Sequence, residues 1–220
     1  MSSNIASNRP IILVGMMGCG KTTVGRRLAA RLGRGFVDAD KELEARCGVA
    51  VATIFELEGE AGFRLREAQL IDELTRRQGL VIATGGGAVL REDNRRRLHD
   101  RGFVIHLRAS LPELWHRLRH DKSRPLLRTA NPRQKIAELI QARDPLYEAV
   151  SHASVMTGRQ SADRVVADII AMLPADLAAP PVRPSTDPCP HPGPTSGPNP
   201  GPPPATTLPH QPVPPTPTAD

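Results

Sequence analysis

With 220 residues, 29 Lys and Arg against 23 Asp and Glu, and only one Trp, one Tyr and four Phe, the chain can bury one sizeable core but offers few rings for stacking on nucleobases. Three cysteines (Cys19, Cys47 and Cys189) show no CxxC or Cys/His spacing, which excludes a disulfide framework and a thiolate metal site and leaves free thiols of a reducing compartment. No apolar stretch is long enough to span a membrane and "MSSNIASNRP" lacks a signal-peptide core, so a cytoplasmic protein that binds neither nucleic acid nor membrane is expected.

After a flexible start over residues 1–8, apolar runs alternate with helix-like spacing. "IILV" at 11–14 reads as a buried strand and "KTTVGRRLAARLG" as the helix behind it; "GFVD" at 35–38 is a second strand. Residues 39–79 hold no further strand pattern and read as a helical excursion able to cover a ligand. Strands follow in "LVIA" at 80–83, "FVIHL" at 103–107 and "ASVMT" at 153–157, separated and closed by helical patterns that end with "SADRVVADIIAML". Five short apolar strands between helices predict an α/β fold: a doubly wound, five-stranded parallel sheet covered on both faces. Between two of the helices, "RHDKSRPLLRTANP" at 119–132 is basic, holds two prolines and has no core pattern, as suits a mobile flap. From Pro174 to Asp220 the chain contains 18 of its 23 prolines and no apolar period, so residues 174–220 are expected to form a disordered, Pro-rich tail. Without them the domain over about 9–173 has 28 basic and 20 acidic residues, a balance of +8 that suits phosphorylated small molecules as well as polyanions. Arginine pairs such as Arg26–Arg27 and Arg76–Arg77 are scattered over helices, as on a solvated surface.

Between the first strand and its helix, "GMMGCGKT" supplies Gly15-x-x-x-x-Gly20-Lys21-Thr22, the complete phosphate-binding loop of P-loop NTPases. Glycines let backbone amides close on an anion, and the helix N-terminus behind them adds its positive end. Lys21 is expected at the β and γ phosphates of a nucleoside triphosphate, and the Thr22 hydroxyl on Mg²⁺. No Asn-Lys-x-Asp tetrapeptide follows, so the guanine reader of a GTPase is absent. The one strand ending in acids is "GFVDAD": Asp38 is the candidate for a water-mediated Mg²⁺ contact. Asp40, two residues on and on the same side of the chain, is placed to orient an acceptor hydroxyl and take its proton. An Asp pair here also suits the N-cap of the next helix. "TGGGAV" at 84–89 sets three glycines after a buried strand, fit for close approach of a small ligand or for a loose turn.

Together "GMMGCGKTTVGRRLA", "FVDAD", "IFELEGEAGFRLRE", "VIATGGGAV", "RPLL" and "RDPLY", in this order and at these separations, closely resemble the shikimate kinase family over about residues 9–170; the tail has no counterpart there. The resemblance implies a monomer with a nucleoside-monophosphate-kinase-like fold, a substrate-binding region over about 38–67 and a lid over about 119–132. It implies transfer of the ATP γ-phosphoryl group to the 3-hydroxyl of shikimate, giving shikimate 3-phosphate, a step of chorismate and aromatic amino acid biosynthesis. By the same likeness Asp40 binds the acceptor diol and acts as base. Arg64 and Arg143 meet the acceptor carboxylate, and the Gly86 amide lies with Gly85 and Gly87 beside the ring. Gly18, Cys19, Gly20, Lys21, Thr22 and Thr23 cradle the ATP phosphates, with Arg124 closing from the lid. Arg117, Arg159 and Gln160 flank the adenine. Guanidinium chemistry agrees, because two parallel hydrogen bonds fix the orientation of a small carboxylate. Two departures stand out: Cys19, in place of a small Ala or Ser, puts an oxidation-sensitive thiol near the phosphates, and Met156, in place of an acid, puts the adenine contacts in doubt. His106 and His116 fit core or surface roles. A kinase for another hydroxy acid such as gluconate is a second reading of these residues. A third is a non-catalytic nucleotide-binding protein that works through "PGPPPA" and "PVPPTP".

Overall fold

Ile11–Val14 form β1, four aliphatic residues with no exposed surface, a pattern that requires a strand covered on both faces. In this computed structural model, which describes residues 8–121, 127 and 129–178, β1 pairs in parallel with β3 (Leu80–Ala83) and β4 (Phe103–Arg108). β2 (Gly35–Asp38) and β5 (Ala153–Met156) complete a five-stranded sheet in the order β2-β3-β1-β4-β5. The inner strands are buried almost throughout, while both edge strands expose residues. All five expected strands occur; β4 gains Arg108, and β5 ends one residue early at Met156.

The sheet order places the functional crevice. β1 leads to β2 on one side, whereas β3 leads back over β1 to β4 on the other. Right-handed crossovers therefore send α1 (Lys21–Leu32) and α4 (Glu92–Arg101) to opposite faces, and the loops after the neighbouring strands β1 and β3 part. Ligands of open α/β sheets bind in that gap. Thr84 anchors its floor, its N–H and its hydroxyl reaching Leu13 O at 3.1 and 3.2 Å.

α1 packs on α7 (Ala162–Met172), and α4 packs between α3 (Val51–Leu74) and α6 (Pro132–Val150). The strand-free stretch after β2 folds, as expected, into α2 (Ala39–Cys47) and α3. α3 is broken at Gly59, whose φ of 71° and ψ of −177° lie outside helical space. The bend brings Phe55 and Phe63 from its two arms to a ring separation of 4.6 Å. α5 (Leu111–Leu118) starts on a capping box in which Ser110 and Glu113 exchange hydrogen bonds.

One boundary shifts. Past Leu173, where the tail was expected to begin, the chain forms α8 (Ala175–Ala178) with Leu177 fully buried. The buried Arg34 guanidinium donates to Leu177 O at 3.2 Å and to Arg9 O at 3.0 Å, tying α8 to the approach to β1. A single large apolar residue in "ADLA" carries no period, so the sequence pattern could not reveal this anchor. Residues 1–7, the central part of the expected lid and residues 179–220 lie outside the described residues.

Candidate active site

Gly15, Gly18 and Gly20 adopt φ values of 139°, 78° and 99°, open to glycine and strained for other residues. A Cβ on Gly15 would also fall onto Leu107 O. α1 then starts at Lys21 with neither a side-chain cap nor an acid in its first turn. Its free N-terminal amides and the positive end of its dipole suit an anion. The largely buried Lys21 ammonium donates to Gly15 O at 2.7 Å and Met16 O at 2.9 Å, holding its charge against the loop.

Thr22 Oγ1 donates to Asp38 Oδ2 at 2.5 Å, so the two groups expected near a metal do meet. Asp38 is also the N-cap of α2, its side chain accepting from Lys41 N at 3.3 Å. The cap is thus Asp38 rather than Asp40. β2 ends at Asp38, and Asp40 is the second residue of α2, so a helical turn, not strand alternation, carries Asp40 to the site.

Around the P-loop opens a cleft of about 710 Å³, lined by Gly18 to Thr23, Asp38, Asp40, Thr84, Arg117, Thr157 and Gln160. Arg117 spans it, donating to Gly18 O at 3.0 Å, Thr157 O at 3.0 Å and Gly158 O at 2.9 Å, and thereby fixing the β5–α7 loop to the P-loop. Gln160 reaches the lining, but Arg159 does not; it is exposed and acts electrostatically on Glu113 of α5. Met156, half-exposed, lines a separate depression beside Arg108 and Asp144, while its neighbour Thr157 lines the nucleotide cleft. Cys19 is fully buried and its N–H closes a turn onto Met16 O at 3.2 Å; burial shields the thiol that the sequence placed near the phosphates. Arg124 lies outside the described residues.

A second pocket abuts the cleft, and Met17, Asp40, Val51 and Gly86 line both. Arg64 from α3 and Arg143 from α6 converge in it with Gly85 and Gly87, against an apolar wall of Phe55 and Phe63. The amides of Gly85, Gly86 and Gly87 donate no hydrogen bond among the described residues. The loop is bare partly for the protein's own side chains: a Cβ on Gly85 would stand 2.7 Å from both Asp40 Oδ1 and Glu67 Oε1, and one on Gly87 would fall onto the Arg64 guanidinium.

Glu67 was missed by the sequence reading. Almost fully buried, it pairs with Arg64 at 2.7 Å through Oε2, while Oε1 has no partner. Burial raises the Glu67 carboxyl above its ordinary value against the pull of Arg64. Burial also works to lower Arg64, but the charge of Glu67, with Glu60 at 3.0 Å, outweighs it and leaves the guanidinium raised. Tyr147, fully buried, was missed as well: its hydroxyl donates to Gly86 O, to which Arg143 also donates at 3.2 Å. The signals were the i, i+3 spacing of Arg64 and Glu67 and the i, i+4 spacing of Arg143 and Tyr147, which put each pair on one helix face.

The sequence model of the shikimate kinase family matches residues 17–174. A shikimate kinase of Burkholderia pseudomallei (strain 1710b) is 55% identical over 163 residues, 74% of this chain and 89% of the relative. One of Ralstonia nicotianae is 56% identical over 163 residues, 74% and 86% of the two chains. Among solved structures, the shikimate kinase of Acinetobacter baumannii in complex with shikimate superposes with a TM-score of 0.73 at 46% identity, covering 76% of this chain and 93% of that one. With the P-loop, the glycine loop and the paired arginines in one crevice, these likenesses establish that the chain belongs to the shikimate kinase family, a family of ATP-dependent kinases.

Proposed function

We propose that the chain transfers the γ-phosphoryl group of ATP to the 3-hydroxyl of shikimate, giving shikimate 3-phosphate for chorismate and aromatic amino acid biosynthesis. The observation that carries this reading is Asp40 in the wall common to the nucleotide cleft and the pocket with two converging arginines. There a carboxylate faces an acceptor on one side and the end of a triphosphate on the other. In this reading Arg64 and Arg143 hold the acceptor carboxylate, the unpaired amides of Gly85 to Gly87 donate to hydroxyl oxygens carried by its ring, and Phe55 and Phe63 cover its apolar edge. Asp40 accepts the proton of the attacking hydroxyl as the bond to phosphorus forms. Lys21 and the α1 N-terminus offset charge on the transferring group, and in this reading Arg117 and Gln160, which line the cleft, flank the adenine.

The Thr22 hydroxyl and Asp38 carboxylate form a hard oxygen pair beside Lys21, a donor set that fits Mg²⁺ with water completing its shell. Bound there, the ion would neutralise phosphate charge. A monomer is part of this reading, checked by sedimentation. The free thiols of Cys19 and Cys47 support a cytoplasmic setting, and among the described residues no helix is long and apolar enough to cross a membrane. A panel of hydroxy acids, shikimate and gluconate among them, tests the acceptor. The reading predicts phosphate on shikimate O3 by ³¹P–¹H correlation, and preferential phosphorylation of gluconate would overturn it.

A further inference from the structure

We propose that Tyr147 is a positioning residue for the acceptor, holding the Gly85–Gly87 loop in the shape that receives it; this rests on the acceptor pocket assigned above. Tyr147 lies one turn after Arg143 on α6, with Pro145 between them. Both side chains donate to one oxygen, Gly86 O, so both of its lone pairs are engaged. The peptide is planar, so fixing Gly86 O also fixes the Gly87 N–H, which points the opposite way. Three successive glycines have little conformational preference of their own, and their amides have no partner among the described residues. The turn that follows holds the two flanking carbonyls, Ala88 N donating to Gly85 O at 3.2 Å and Leu90 N to Gly87 O at 3.0 Å, while the carbonyl between them, Gly86 O, is held by the Tyr147–Arg143 pair. The anchor also steers the arginine: with Nη1 held on Gly86 O, the other guanidinium donors are set in the pocket.

The same hydroxyl lies 3.8 Å from Met16 Sδ, so one phenol touches the loops of both substrates. Its ring packs 5.0 Å from the buried His106 imidazole, which limits how far the phenol can swing. Burial raises the Tyr147 hydroxyl well above its ordinary value, so it remains a donor throughout the working range.

The test is Tyr147→Phe in the full chain, which keeps the ring and removes the hydroxyl. Loss of one orienting hydrogen bond is expected to raise KM for the acceptor about tenfold and leave KM for ATP within about twofold. The Gly87 amide resonance of ¹⁵N-labelled protein is expected to shift, a readout independent of turnover that also reports folding. An unchanged acceptor KM overturns the proposal, as does an unmoved Gly87 resonance in a folded variant. A parallel rise in both KM values overturns it too, because a merely structural hydroxyl acts that way. Wild-type protein is assayed alongside with shikimate and gluconate. If it uses gluconate alone, the shikimate reading fails, and the Tyr147 comparison is made with gluconate and decides the proposal separately.

Discussion

Asp40 sits where α2 begins, on the wall between two pockets, and its exchange for Asn keeps the shape while removing the proton acceptor. Asp40→Asn is expected to lower kcat by about 10² or more, measured in steady state with both substrates saturating; a rate near wild type would remove its role as base. Gly85→Ala is expected to weaken acceptor binding and spare ATP binding, as calorimetry with each ligand will show, because the added Cβ meets the carboxylates of Asp40 and Glu67. Equal losses for both ligands would point to a collapsed loop instead. Asp40 was legible in "FVDAD", although for a reason that did not hold: the strand stops before it, and its direction is set by the helix that Asp38 caps. The convergence of Arg64 and Arg143 rests on the placement of α3 and α6, which periodicity along one chain does not record. Glu67 and Tyr147 stayed hidden for a related reason: their partners are a guanidinium and a carbonyl, and spacing alone does not say which helix face meets the glycine loop.

At the scale of elements, strands read well because β1 and β3 are continuous apolar runs and β4 is one broken only by His106 before its last residue, Arg108, and a parallel sheet buried on both faces demands such composition. The break at Gly59 and the α8 anchor did not: a lone glycine inside a helical pattern does not announce a bend, and α8 depends on a contact far away in sequence. Arg34 supplies a test of that anchor. A chain ended after Leu173 loses the buried Leu177 and leaves Arg34 short of an acceptor, whereas one ended after Ala178 keeps both. The shorter form is expected to unfold about 2–4 °C lower or more in calorimetry, on the loss of 1 kcal/mol or more; identical midpoints would dismiss α8 as a structural element. β4 carries a second element-scale consequence. Burial holds the His106 imidazole at about 4 against an ordinary 6.5, with Asp144 at 3.6 Å opposing. The folded value lies below the unfolded one, so the stability of the neutral ring is complete above about pH 6.5 and is lost as pH falls towards 4, by at most about 3 kcal/mol. His106→Gln, which does not titrate, is expected to flatten the acid limb of the thermal midpoint between those values, and an unchanged slope would contradict this.

For the molecule as a whole, the doubly wound architecture was legible because strands alternate with helices, whereas the order β2-β3-β1-β4-β5 was not, since right-handed crossovers fix the face each helix takes and not which strands are neighbours. That order sets the phosphate loop beside the glycine loop, and α3 and α6 then bring the arginines to the same gap. The central claim is that this gap holds ATP against a small hydroxy acid with Asp40 between them. Steady-state ADP release by the intact chain with Mg-ATP and shikimate tests it most directly. Turnover that saturates in shikimate and stays at background without it is the predicted result; folded protein that binds ATP yet releases no ADP above background with shikimate would contradict the account.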